Sequence, residues 1–196
     1  MSRPAVVVRE ATADDLPALL ALWAELRDLG GRIERLMPGP DDAALRARLE
    51  WIAQDPSSRA LVAIVDDDQV AGMTLLTEQP YAPLFEQRAV HAHYLHVGDG
   101  YRRRGVGKAL LAAAVLFADE VGAEHVMTSV LPQMRETQRF YARLGFSPVV
   151  VRRSAPVSVL RRRLAPSGAP TVTGNLLARR RSLRRVRAAV VARVVD

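Results

Sequence analysis

Hydrophobic positions along the chain follow two periods, one typical of helices and one typical of strands. A short apolar run at 6–8 leads to Thr12, Asp14 and Asp15, a composition typical of a capped helix start, and leucines at helical spacing follow. After a break rich in glycine and proline, Asp41 predicts the start of a second helix. The N-terminal part of the chain therefore predicts one strand and a pair of helices.

The middle and end of the chain alternate between strand and helix patterns. The apolar runs at 59–65 and 69–76 flank an aspartate-rich turn and predict a hairpin, and the run at 89–97 predicts a further strand. An apolar face from Gly105 to Val121 predicts a long helix. The remaining elements are predicted as a strand, a helix and two strands, at 124–131, 133–144, 146–152 and 155–163. Six or seven strands interleaved with four helices predict an α/β (α+β) mixed-sheet sandwich.

Length and charge divide the chain into a globular body and a basic tail. A chain of 196 residues with 49% hydrophobic composition suits one domain, predicted at 1–165, followed by a tail at 166–196. The net charge is +7, but residues 1–151 carry 16 basic against 20 acidic side chains, whereas residues 152–196 carry 12 against 1. The overall charge therefore says little about the partners of the body.

The composition also excludes several classes of chemistry. The chain has no cysteine, which excludes disulfides, thiol nucleophiles and thiolate metal sites. His91 and His93 lie two residues apart, but no third ligand accompanies them, so no metal site is predicted. No apolar run reaches the roughly 18 residues that a membrane-spanning helix needs, and a soluble cytoplasmic protein is expected.

The segment VGDGYRRRGVGKALL at 97–111 joins a predicted strand to a predicted helix. A helix that opens there leaves backbone N–H groups without partners, and glycines let an anion approach them closely. The stretch therefore predicts a diphosphate site. Arg102 and Ala109 stand where a P-loop needs glycine and serine or threonine, and Arg103 stands where a Rossmann motif needs glycine. Ordinary solvated charge is the alternative interpretation of the arginines.

The spacing R-x-x-G-x-G, formed by Arg102, Gly105 and Gly107, resembles the acetyl-CoA signature of the GNAT superfamily of N-acetyltransferases. The segment RFYARLGF at 139–146 resembles the second signature of that family, and the order of elements is similar over 6–164. The resemblance implies the GNAT acyl-CoA N-acyltransferase fold, with a six- to seven-stranded sheet flanked by about four helices. It also implies an enzyme that moves an acetyl group from acetyl-CoA to a primary amine.

The resemblance also implies where acetyl-CoA lies. Strands four and five of this fold splay apart after a bulge, and pantetheine lies in the gap. It pairs with the backbone near 95–97, and the Val97 amide polarises the thioester carbonyl. Backbone amides of the glycine turn would hold the pyrophosphate, with the arginines adding charge around it. The implied cofactor contacts are Leu95, Val97, Arg102, Arg103, Arg104, Gly105, Val106, Gly107 and Lys108.

Candidate proton-transfer residues lie on one strand and in the second signature. Tyr141 matches the tyrosine that protonates the departing thiolate in many family members, although it would also serve as a core aromatic. His91 and His93 point to one face of their strand and are candidates for the base that deprotonates the amine, with structural roles as the alternative. His96 is expected on the opposite face, and Glu86 is a rival base.

The basic tail leaves several partners open. As a helix it would be amphipathic, with Leu183, Val186 and Val190 along one face and arginines around the rest. Nucleic acid, an anionic membrane surface, the acidic body or a second subunit of a homodimer would each suit it, as would a solvated tail. The alternative function is therefore a non-catalytic acyl-CoA-binding module that the tail recruits to a polyanion. For the enzyme, the acceptor is expected to be a small-molecule or peptide amine.

Overall fold

A computed structural model describes residues 6–30, 40–66, 68–82, 84, 86–131 and 133–164. The strands are β1 (Val7–Glu10), β2 (Ser58–Val65), β3 (Gln69–Pro80), β4 (Arg88–Val97) and β5 (His125–Thr128). The helices are α1 (Leu16–Gly30), α2 (Asp42–Gln54), α3 (Val106–Val121), α4 (Arg135–Arg143) and α5 (Val157–Arg163). The chain divides into two compact units, Met1–Phe146 and Ser147–Asp196. The predicted basic tail at 166–196 lies outside the described residues.

The five strands of the described chain form one mixed sheet in the order β1-β2-β3-β4-β5. Neighbours from β1 to β4 are antiparallel, and β5 pairs with β4 in parallel. Antiparallel neighbours need only short turns, whereas a parallel pair needs a long crossover, which α3 supplies between β4 and β5. The predicted mixed sheet with flanking helices is confirmed.

Helices cover both faces of this sheet. On one face, α3 packs its buried Leu110 and Phe117 against strand residues that include Leu76 and Val90. On the other face, leucines of α1 pack against strand residues that include Met73. Because neighbouring side chains of a strand point to opposite faces, each position of β3 and β4 is assigned to the α3 face or the α1 face.

Two of the predicted strands are not formed. Residues 147–156 have no regular secondary structure, and the valines at 149–151 are exposed. Residues 157–163, expected in a strand, form the helix α5 instead, with Pro156 at its N-cap. A valine run becomes a strand only when a neighbour accepts its ladder, and proline has no N–H to contribute to one. The described sheet therefore has five strands rather than six or seven.

The predicted helix starts are confirmed, and the first of them carries a buried charge. Asp41 accepts a hydrogen bond from the Ala44 amide (2.7 Å) at the start of α2. Before α1, Asp15 accepts from the Thr12 amide (2.7 Å) and from both terminal nitrogens of Arg9 on β1 (2.7 and 2.9 Å). Asp15 is only 5% exposed. Burial alone would raise the pKa of Asp15, but the hydrogen bonds from Arg9 and Thr12 outweigh it and lower the pKa.

We expect Asp15→Asn to lower the free energy of unfolding by roughly 2 kcal/mol at pH 7, because it removes a charge-assisted pair from a buried position. The folded-state pKa of Asp15 is depressed, so its contribution is present above the unfolded pKa and is lost as the pH falls through the folded pKa. Urea unfolding measured from pH 7 downwards checks both points. Asp14→Asn, at the exposed neighbouring position, is the control. If the free energies of unfolding of wild type and Asp15→Asn differed as much at acid pH as at pH 7, this account would be contradicted.

Candidate active site

The turn between β4 and α3 presents backbone N–H groups at the start of the helix. Arg103 (φ +63°) and Gly105 (φ +95°) both have left-handed backbone, which reverses the chain before α3 begins. The first hydrogen bond of α3 runs from the Ala109 amide to the Gly105 carbonyl (3.0 Å), so the amides of residues 106–108 point out of the helix end. These amides and the positive end of the helix dipole can bind an anion.

Gly107 is required by close packing inside this turn. A Cβ atom at Gly107 would lie 3.3 Å from Cζ of Phe140 and 3.7 Å from Cγ2 of Val97. Phe140 belongs to α4 and Val97 ends β4, so three elements meet at one glycine. The two sequence signatures, separated along the chain, therefore come together in space.

Each arginine of the turn is paired with an acidic side chain. The Arg102 guanidinium lies 2.6 Å from Asp99, that of Arg104 lies 3.1 Å from Asp66, and that of Arg103 lies 3.7 Å from Glu136. The Arg103 and Glu136 side chains are both largely exposed. These carboxylates partly neutralise the arginines, so the backbone amides are the better fixed part of the anion site.

Strands β4 and β5 form a fork. They pair only from Ala89 with His125 to Ala92 with Thr128, whereas β4 continues to Val97. The register of β4 against β3 shifts between Met73 and Leu75, which marks a β-bulge in β4. We refer to the separation of the two strands beyond Ala92 and Thr128 as the fork; it matches the splay that the family resemblance implies.

The Val97 amide faces the fork. The next residue, Gly98, donates its N–H to the Ala71 carbonyl of β3 (3.0 Å). Because successive N–H groups of a strand alternate in direction, the Val97 N–H points away from β3, towards the side on which β5 has separated. This direction is the one that a donor to a bound carbonyl needs.

The Tyr141 hydroxyl lies at the base of the fork. Tyr141 is 4% exposed, and its hydroxyl oxygen lies 3.3 Å from that of Thr128, the last paired residue of β5. Thr128 in turn donates to the Ala92 carbonyl of β4 (3.2 Å). Burial raises the pKa of Tyr141 above its usual value, so the hydroxyl keeps its proton at neutral pH.

His91 and His93 lie side by side on the α1 face of β4. Their rings are stacked with centroids 5.7 Å apart, and Nε2 of His93 lies 3.0 Å from the Thr77 hydroxyl of β3. The hydrogen bond fixes the orientation of the His93 ring next to the fork. The rival base, Glu86, is exposed in the loop before β4.

His96 was expected on the opposite face, and this prediction is wrong. His96 pairs with Met73, whose side chain packs in the core beneath α1, and its Nε2 lies 3.1 Å from Glu25 of α1. The bulge at Tyr94 (φ +53°) inserts one extra residue into β4, so three residues rather than two separate positions on the same face. His91, His93 and His96 therefore share the α1 face.

Glu25 joins α1 to the end of β4 and to the turn that follows. Its Oε2 contacts Nε2 of His96 (3.1 Å) and accepts from the Asp99 amide (3.4 Å). His96 is 4% exposed, and burial lowers its pKa although the hydrogen bond to Glu25 opposes this shift. His96 is therefore neutral at pH 7, and its contact with Glu25 is a hydrogen bond from a neutral ring.

The described residues contain neither a cluster of metal ligands nor a membrane-spanning helix. No group of three or more His, Asp or Glu side chains in those ranges is placed to hold a metal ion. No helix within the same ranges is long and apolar enough to cross a membrane.

The family model described as Acetyltransferase (GNAT) family matches residues 23–146, which contain β2 to β5 and both signatures. The chain belongs to the GNAT family. The family is one of acetyltransferases, and it uses acyl-CoA as its donor. The family resemblance of the sequence is thereby confirmed.

Proteins similar in sequence or in fold include two acetyltransferases. Streptothricin acetyltransferase of Streptomyces lavendulae is 27% identical over 108 residues, which are 55% of this chain and 54% of that protein. The chain thus spans about half the length of this curated relative. A transcriptional regulator from Bacillus halodurans has the same fold, with a TM-score of 0.64, 25% identity and coverage of 78% of this chain and 99% of its own. An aminoglycoside N-acetyltransferase in complex with CoA superimposes with a TM-score of 0.61, 22% identity and coverage of 77% and 95%.

The structure brings the glycine turn, Val97 and Tyr141, which the sequence predicts as site residues, together around the fork. Sequence reasoning assigned no role in the site to three side chains of the α1 face: Trp23, Glu25 and Tyr94. Their positions depend on the bulge in β4. The family resemblance implies a bulge, but no residue type places it at Tyr94, because a tyrosine rarely adopts a left-handed backbone. The preceding histidines, two apart, predicted an uninterrupted strand.

We expect the His96 ring to titrate below 6.5, and Glu25→Gln to lower its pKa further, because the Glu25 carboxylate favours the protonated ring. Because the unfolded chain takes up this proton first, His96 makes stability fall as the pH decreases below 6.5. NMR titration of the His96 ring protons, with exposed Glu50→Gln as the control, measures the shift. A His96 midpoint above 6.5 would contradict the burial argument.

Proposed function

We propose that this GNAT enzyme transfers an acetyl group from acetyl-CoA to a primary amine by direct attack in a ternary complex. The observation that carries the proposal is the position of the buried Tyr141 hydroxyl at the base of the fork, 3.3 Å from Thr128. The anion site at the start of α3 lies on the same strand-turn-helix segment as the Val97 amide. An acetyl-CoA molecule whose phosphates lie at the start of α3 would therefore have its thioester near the Val97 amide at the fork.

The residues of the glycine turn fit the phosphate end of acetyl-CoA. The amides of Val106, Gly107 and Lys108 point out of α3, and a side chain at Gly107 would press on the Phe140 ring, 3.3 Å from its Cβ. The three arginines, while still in their ion pairs, would add positive charge around the pyrophosphate. The backbone near Leu95 and Val97, which borders the fork, would pair with the pantetheine arm.

The fork supplies a donor for each charge that the reaction develops. The amine nitrogen attacks the thioester carbon, the carbonyl oxygen gains charge, and the Val97 N–H donates to it. The C–S bond then breaks, and Tyr141 gives its proton to the departing thiolate; solvent later restores the proton to Tyr141. The raised pKa of Tyr141 keeps the hydroxyl protonated at neutral pH, as a proton donor must be. Since the chain has no cysteine, no thiol nucleophile competes with direct attack.

His93 is the better placed of the two candidate bases. The amine must lose a proton to attack, and an imidazole accepts one near neutral pH. His93 is the first residue of β4 beyond its last pair with β5. Its Nε2 is held by the Thr77 hydroxyl on the β3 side, and the His91 ring stacks on the His93 ring. Glu86 lies outside this arrangement, in an exposed loop.

The function is tested by thiol release from acetyl-CoA with a panel of primary amines. We expect turnover, and we expect Tyr141→Phe to lower kcat by about 100-fold with a much smaller change in the KM for acetyl-CoA, because the hydroxyl acts on the leaving group. Tyr81→Phe removes a hydroxyl outside the fork and is the control. Retention of wild-type turnover and pH profile by Tyr141→Phe would disprove the acid role. CoA binding without turnover by the wild type would favour the non-catalytic module instead.

Placement of the phosphates is tested at two glycines of one turn. We expect Gly107→Leu to raise the Kd for CoA by at least about tenfold, because the side chain would enter the space between Phe140 and Val97 and displace α4. Gly100→Leu is the matched control, since a Cβ at Gly100 meets no atom within 4 Å. Isothermal calorimetry gives both constants. Equal affinity of the two variants would place the phosphates elsewhere.

A further inference from the structure

The two faces of the sheet carry different groups near the fork. The anion site belongs to α3, which covers one face, whereas His91, His93 and His96 lie on the face that α1 covers. On the proposed function, the acetyl group reaches the fork from the α3 side. The amine must then approach from the α1 side, so the side chains on that face select the acceptor.

An aromatic pair stands at this approach. Tyr94 is 47% exposed, and the bulge holds it in a left-handed backbone, which few residues other than glycine adopt. The strand around it is fixed by the hydrogen bond from the Thr74 hydroxyl to the His93 carbonyl (3.1 Å). The Tyr94 ring packs edge-to-face on Trp23 of α1, with centroids 4.6 Å apart, and its centroid lies 6.1 Å from that of His93. The bulge therefore presents aromatic surface beside the proposed base.

A carboxylate makes the neighbouring contact between α1 and β4. Trp23 of α1 packs on Tyr94 of β4, and Glu25 of α1 meets His96 two residues further along β4; the Glu25 side chain is 44% exposed. Burial lowers the pKa of His96, so this second contact is a hydrogen bond with a neutral ring. The nearby Arg102 is paired with Asp99 at 2.6 Å. We call Trp23, Glu25, Tyr94 and His96 the α1–β4 seam; it combines aromatic faces with one negative charge.

We propose that the α1–β4 seam binds a second positive charge of the acceptor, so that the enzyme prefers amines that carry another cationic group. Aromatic faces and a carboxylate together attract an organic cation. Along β4, the contact of Glu25 at His96 lies three residues from His93, but the bulge makes this span equal to two residues of β3, from Met73 to Leu75, or about 7 Å. The acceptor is therefore a flexible or extended dication, with its reacting amine at His93 and its other charge at the seam. This inference rests on the proposed function for the reaction, whereas the binding of the cation can be measured without it.

The kinetic test compares cadaverine with pentylamine, which differ by one ammonium group. We expect the wild type to favour cadaverine in kcat/KM by about tenfold. Glu25→Gln and Tyr94→Leu should each remove most of that preference, whereas Tyr94→Phe, which retains a ring, should keep it. Glu50→Gln on the exposed surface of α2 is the matched carboxylate control and should leave both values unchanged. Equal efficiencies of the wild type with the two amines, or equal losses with both in the variants, would overturn the proposal.

The binding test uses the tryptophan of the seam as its reporter. The chain has two tryptophans, so a Trp51→Phe variant leaves Trp23 as the sole one. We expect cadaverine to change the Trp23 fluorescence at lower concentration than pentylamine does. When Glu25→Gln is combined with Trp51→Phe, the two amines should act at the same concentration. No change with either amine would overturn the seam proposal even if acetylation is observed. A change with cadaverine in the absence of thiol release from any amine would support the seam and refute the transferase mechanism.

Discussion

The pairing of β4 with β5 stops at Ala92, and the rest of the site depends on that separation. β3 accompanies β4 along its whole length, whereas β5 ends at Thr128 after four paired residues. Beyond the fork, one side of β4 carries backbone groups for which the described residues offer no strand. Such groups demand a hydrogen-bonding partner, and on the proposed function the amide groups of the pantetheine arm would supply it. The fork is thus an unpaired stretch of strand along which an extended molecule can bind.

The bulge at Tyr94 places different chemistry on the two sides of this opening. Without the extra residue, His96 would face α3 and the contact with Glu25 would be lost. With it, three histidines, an aromatic pair and a carboxylate lie on the α1 face, while the amides at the start of α3 lie on the other. On the proposed function, this single inserted residue would place the acceptor side chains on the face opposite the phosphate site. The left-handed Tyr94 is kept because β3 and α1 hold the strand on both sides of it.

Local signals predicted the parts of this site that are encoded by short segments. Gly105, Gly107 and Tyr141 belong to motifs whose residue types are required by a tight turn or by close packing, and such requirements are visible in a sequence. The partners of the arginines were hidden, since Asp66 lies 38 residues from Arg104 and meets it only in the fold. The valines at 149–151 predicted a strand from their own preference, but strand formation also needs a neighbour. The face of the sheet on which His96 lies depends on the position of a bulge. Regular alternation of side chains along a strand does not reveal that position.

The Phe140 ring connects α4 to the start of α3. It lies 3.3 Å from the place that a Cβ at Gly107 would occupy, and the next residue in α4 is Tyr141, whose hydroxyl lies at the base of the fork. On the proposed function, a shift of α4 would therefore disturb the phosphate site and the proton donor together. Donor affinity and the rate of thiol departure would then change in parallel.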